Sequence, residues 1–166
     1  MADRKQFTIN VKKGGNAQIG EFYLSKGECA LSNPVFVVDT NFDIKNSVAF
    51  DIVSGGLFYT IAADTNFDTG TTEALAIDTW GIGILTVTTA GVGTVTWAGV
   101  DYATEAAAIA ALDSIAVPAG EIFLGYVTVL TDSGATWTAG TDALQGGTGG
   151  GPSDDTNYYA VCGRVL

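Results

Sequence analysis

The chain has 166 residues, 47% of them apolar, with 22 glycines, three prolines, two cysteines, no histidine and a formal net charge of −11. That is enough apolar content for one domain with a buried core, and it excludes a disordered chain or a disulfide framework. With no histidine there is no Ser-His-Asp triad, Cys-His dyad or imidazole zinc site, and so acidic a surface repels nucleic acid and anionic lipid.

From the N-terminus, residues 6–11 (QFTINV) alternate as a strand does and run into a turn at Lys12-Lys13-Gly14-Gly15. Residues 19–24 and 35–39 are two further strands, with Asn33-Pro34 breaking the chain between them. Residues 48–53 (VAFDIV) and 57–62 (LFYTIA) flank Ser54-Gly55-Gly56 as a tight hairpin. A polar loop precedes strands at 74–79, 82–88 and 93–98, the last two joined through Gly91 and Gly93. One segment, 104–112, reads as helix: Thr104 can cap it, Glu105 suits its positive end, and 106–112 are good helix formers that stop at Asp113-Ser114. Residues 122–130 (IFLGYVTVL) form a buried strand, followed by a turn at Asp132-Ser133-Gly134 and a strand near 135–138. A glycine-rich loop at 146–151 leads to a last strand at 158–165. About ten short strands with one short helix predict a mainly β fold, a sandwich or barrel, with strands too closely spaced for βαβ units. Cys29 and Cys162 are read as two buried thiols rather than a pair.

The charge is unevenly placed. Arg4, Lys5, Lys12, Lys13, Lys26 and Lys45 precede a stretch of 118 residues that has thirteen carboxylates and no basic residue, after which Arg164 stands alone. The first 45 residues balance to +1 and the next 118 to −13. This divides the chain into an N-terminal docking arm with strands, 1–45, and an acidic β domain, 46–166. Arg4, Lys5, Lys12 and Lys13 are the candidate docking cluster, too small for nucleic acid alone but sufficient for an acidic partner surface. The uncharged run 79–100 is long, yet its Thr and Gly content and the absence of a basic flank mark a pair of strands, not a membrane span. Residues 1–13 are charged and lack the apolar region of a signal peptide.

Few constellations carry chemistry. Asp39-Thr40-Asn41-Phe42-Asp43 recurs as Asp64-Thr65-Asn66-Phe67-Asp68, and alternating oxygens of this kind open a calcium loop. Such a loop needs Gly at position six and Glu at position twelve, where the copies have Ile44 and Phe50, and Thr69 and Leu75, so solvated acidic turns are expected and no metal or cofactor is assigned. Asp68-Thr69-Gly70 and Asp132-Ser133-Gly134 resemble the paired loops of aspartic proteases, in which two aspartates share one proton. Their separation is too short for the two-lobed enzymes, and both tripeptides are ordinary turn chemistry. Gly81-Ile82-Gly83 and Gly91-Val92-Gly93 lack the rest of a dinucleotide loop, and 146–151 lacks the Gly-Lys-Ser/Thr of a phosphate loop. Trp80, Trp97 and Trp137 are candidate contacts that could stack on a host glycan, although at strand positions such aromatics more often belong to the core or to a subunit interface.

The segment 105–129 has an Ala-rich helix, then Val117-Pro118-Ala119-Gly120, then Leu124-Gly125-Tyr126-Val127-Thr128-Val129. An acidic turn follows, then Trp137-Thr138-Ala139-Gly140-Thr141 and a Gly/Thr/Ser tail. Over residues 104–160 this resembles small accessory virion proteins of tailed bacteriophages. The resemblance implies a non-enzymatic head-decoration (cement) or head-fibre protein on the outer capsid surface. It also implies that the protein binds the major capsid protein as a homo-oligomer, most simply a trimer, with no nucleic-acid or membrane partner. A glycan-binding host-attachment module and an aspartic protease using Asp68 are the alternatives.

Overall fold

The structure, a computed structural model, describes residues 28–39, 42–70, 73–144 and 153–160. In chain order the strands are β1 (Glu28–Ala30), β2 (Phe36–Asp39), β3 (Asp43–Asn46), β4 (Phe50–Ser54), β5 (Leu57–Ile61), β6 (Asn66–Asp68), β7 (Ala74–Leu75), β8 (Trp80–Val87) and β9 (Gly93–Trp97). Helix α1 (Glu105–Ala110) and a 3-10 turn (Leu112–Ser114) come next, followed by β10 (Ile122–Thr131), β11 (Trp137–Thr138) and β12 (Ser153–Ala160). The fold is mainly β, as the sequence predicts. Seven strands make one sheet in the order β12-β10-β8-β9-β6-β3-β2, antiparallel except where β6 lies parallel to β9. Its two outer strands approach each other, so the sheet is a nearly closed barrel. A second antiparallel sheet, β1-β4-β5, lays Ala30, Phe50, Ile52, Tyr59 and Ile61 against the same core, and β7 and β11 form a short ribbon.

Strand β8 shows how the sequence sets this packing. Its odd positions, Gly81, Gly83, Leu85 and Val87, alternate with Ile82 and Ile84, and all six are buried. Ile82 and Ile84 pack with Ala108 and Leu112, on and just beyond α1, and with Ile115 and Phe123. Leu85 and Val87 face the main core. A Cβ on Gly83 would lie 2.8 Å from Val95 Cγ1 and 3.0 Å from a Trp97 ring atom. The small residues thus make room for large side chains on their own face of the sheet, while the isoleucines carry the helix. Six residues are too few for α1 to stand alone. Thr104 caps it, accepting from the Ala107 N–H at 3.2 Å, and Ala108 buries completely against β8.

Several expectations are corrected. The helix ends at Ala110, Ala111 caps it, and Leu112, the last residue of the predicted helix, opens the 3-10 turn. The expected strand 74–79 stops at Leu75, because Asp78 takes a left-handed φ of 55° and the buried Thr131 hydroxyl holds the turn, donating to Ala76 C=O at 2.6 Å and accepting from Thr79 N–H at 2.9 Å. The last strand begins at Ser153, and the strands read at 6–11 and 19–24, the glycine-rich loop and Cys162 lie outside the described residues. Cys29 is buried. Strand pairing crosses residue 45: β1 pairs with β4 and β3 with β6. Among the described residues, no helix is long and apolar enough to cross a membrane.

Candidate functional site

The repeated DTNFD segments meet in space. The first forms the end of β2 and the start of β3, and the second supplies Asp64, at φ 59°, and β6. Because β6 pairs with β3, with Lys45 opposite Asn66, the two copies lie side by side. Lys45 Nζ sits between their first aspartates, 3.3 Å from Asp39 Oδ1 and 3.2 Å from Asp64 Oδ1. Hydrogen bonding to Asp64, then to Asp39, raises the Lys45 pKa above its ordinary value. Asp43 accepts from Asn66 Nδ2 at 3.0 Å and from the Thr69 hydroxyl at 3.3 Å. The cation between these carboxylates is the chain's own ammonium. Among the described residues, no cluster of three or more metal-ligating side chains is present.

The two Asp-Ser/Thr-Gly tripeptides are turns, each aspartate bonding its own loop: Asp68 Oδ1 accepts from Gly70 N–H at 2.8 Å and Asp132 Oδ1 from Gly134 N–H at 2.7 Å. Asp68 lies level with Thr94 and, through it, with Thr86 of β8, whereas Asp132 follows the strand end that pairs with Trp80. Six residue positions along β8 separate those levels, about 20 Å at the usual rise per residue. Within one chain the two carboxylates do not form a dyad.

The tryptophans do not make a common platform. Trp137 is fully buried, edge-on to Trp97 at 5.3 Å between ring centroids, so it offers no face to a glycan or a second subunit. Trp97 is half-buried and its indole N–H donates to Thr69 C=O at 2.9 Å. Trp80 belongs to the other apolar cluster, beside Ile82, Ile84 and Phe123. Arg4, Lys5, Lys12 and Lys13 lie outside the described residues.

Two carboxyl groups acquire roles that sequence reading missed. Glu105 reads from sequence only as a favourable charge at a helix start. In the fold its Oε1 accepts from Thr128 at 2.7 Å, Tyr159 at 2.8 Å and Asn157 at 3.1 Å, tying α1 to β10 and β12. Burial pushes its pKa up, but these three donors outweigh it and hold the group below the usual carboxylate value. Tyr159 also stacks on Tyr126, with ring centroids 4.6 Å apart. Glu73 is the opposite case. It is buried, and desolvation raises its pKa; an N–H from Gly99 offsets part of the rise and the Asp101 carboxylate adds to it. No protein-family model, curated protein or solved structure matches the chain.

Proposed function

We propose that this chain is a non-enzymatic accessory structural protein of a tailed-phage particle, held on the outer capsid surface by the major capsid protein as a decoration or head-fibre subunit. One observation carries the reading. The described residues hold sixteen carboxylates and a single basic side chain, Lys45, which Asp39 and Asp64 already engage. The body therefore has no spare cation among its described residues with which to attract DNA, phosphate or an acidic protein. Attraction to an acidic capsid surface falls to the basic residues outside the described part, among which Arg4, Lys5, Lys12 and Lys13 form the N-terminal cluster. Further support comes from the segment that resembles phage accessory proteins: α1, the turn at Gly120 (φ 81°) and β10 follow one another as a unit whose buried side chains build both apolar clusters. A trimer on a symmetry axis of the shell is the simplest assembly.

The test is co-sedimentation with DNA-free shells of the phage that encodes the chain. Saturable binding of the full chain, and its loss on removal of residues 1–13 with thermal unfolding unchanged, is the expected result. A full chain that stays in the supernatant, or a shortened one that binds with full affinity, contradicts the proposal.

A further inference from the structure

Strand β5 is a sheet edge without the devices that usually protect one. Among the described residues it pairs with β4 alone, it contains no charge or proline, and Leu57 and Phe58 are 61% and 60% exposed. The hairpin fixes which backbone groups face outward. Gly55 and Gly56, with φ of 57° and 79°, make a two-residue type I′ turn, so Ser54 and Leu57 are a hydrogen-bonded pair. Bonding then alternates along the strand: Ile52 with Tyr59, and Phe50 with Ile61, exchange bonds. Asp51 faces the other way, its C=O accepting from Leu31 N–H at 2.8 Å. The N–H and C=O of Phe58 and Thr60 therefore point away from β4, toward solvent.

We infer that this edge is a two-fold contact between copies of the chain, in which β5 pairs antiparallel with β5 of a second copy about Tyr59. In that register Phe58 exchanges both backbone bonds with Thr60 of the partner subunit, and Thr60 does so with Phe58 of the partner subunit. Every outward backbone group of both edges is then satisfied, and the two three-stranded sheets become one of six strands. Charge selects a second copy as the occupant. A chain of net −11 repels itself, but β5 has no charged residue, and the Asp51 carboxylate opposite Thr60 accepts from its hydroxyl at 2.7 Å, so two copies approach here at low electrostatic cost. The contact is small beside the roughly 1,600 Å² of a standard interface, so the dimer is weak and concentration-dependent. The inference goes beyond the capsid proposal and stands without it; a two-fold contact leaves the other faces free for a three-fold one.

The test uses the full chain in solution, with no shells, so its outcome is separate from that of the capsid experiment. Sedimentation velocity over a concentration series is expected to show reversible dimer formation. Amide exchange at Phe58 and Thr60 should slow as the dimer fills, while Tyr59 and Ile61, already bonded to β4, change little. Phe58→Glu should weaken association at least about tenfold without shifting thermal unfolding, because Phe58 lies outside the core. Phe58→Glu combined with Thr60→Lys should restore association, since the register places the two positions opposite each other across the axis. A chain that stays monomeric throughout overturns the inference. So does an oligomer indifferent to Phe58→Glu, or one whose Phe58 and Thr60 amides exchange as in the monomer.

Discussion

Glu73 and Glu105 have the same side chain and opposite consequences for stability. Burial raises the Glu73 pKa, so its contribution is fully present below the unfolded value and is lost as pH rises through the folded one. Glu105 is held low by Thr128, Tyr159 and Asn157 against the opposing effect of burial, so its contribution is present above the unfolded value and is lost as pH falls through the folded one. Glu73→Gln is accordingly expected to raise the melting temperature at pH 7 by a few degrees (~2–5 °C) and to leave it nearly unchanged at pH 4. Glu105→Gln should lower stability at pH 7 by about 1 kcal/mol or less, because solvent screens part of the charge-assisted bonding. Its deficit should shrink in acid. Urea melts of both variants across pH 4–8 check the two signs, and a fall for Glu73→Gln at pH 7 would show the buried carboxylate to be better satisfied than its surroundings indicate. Trp137, wholly enclosed with its indole N–H unpartnered, is a core residue. Trp137→Ala is expected to cost ~3–5 kcal/mol in the same melts; a loss under 1 kcal/mol would mean that the ring is not packed as described.

At the level of elements, the joint between β6 and β9 is the narrow point of the large sheet. Only Phe67↔Gly93 and Asp68↔Thr94 are in register there, yet this joint links β3 and β2 to the rest of the sheet. A Cβ at Gly93 would fall 2.6 Å from Asn66 C=O and 2.7 Å from the Phe67 ring, so Gly93→Ala must push β6 away. A loss of about 1–3 kcal/mol is expected, with amide protection falling in β2, β3 and β6 more than in β8 and β10. Equal loss of protection throughout would contradict the joint. The same region shows where sequence reading stops. Strands β5, β8, β9 and β10 are legible because their alternation or continuous apolar runs are local signals. Strands β3 and β6 are not, since each buries one large apolar residue, Ile44 or Phe67, among polar neighbours and gains its place through a distant partner. The Glu105 site is hidden for a related reason: its three donors lie 23 to 54 residues away, on strands whose adjacency no local pattern announces. Lys45 stands out in the sequence as the last cation before a long acidic stretch, but its place between the two DTNFD copies follows only from β3 lying beside β6.

For the whole molecule, the polarity read from the sequence moves toward the N-terminus. Strands β1 to β3 belong to the body, and the one lysine they carry is neutralised by two aspartates of that body. The proposed docking element is thus the basic cluster before residue 14, four of the six cations left beside Lys45, set against a barrel whose described charges are overwhelmingly acidic. That contrast predicts a salt-dependent attachment whose strength scales with the number of N-terminal cations. The direct measurement is shell binding by the full chain with Arg4, Lys5, Lys12 and Lys13 all changed to Glu, followed across a series of salt concentrations. The unaltered chain is expected to bind, more weakly as salt rises, and the charge-reversed chain not at all although it melts at the same temperature. Equal binding by the two chains, or binding that ignores salt, would contradict it.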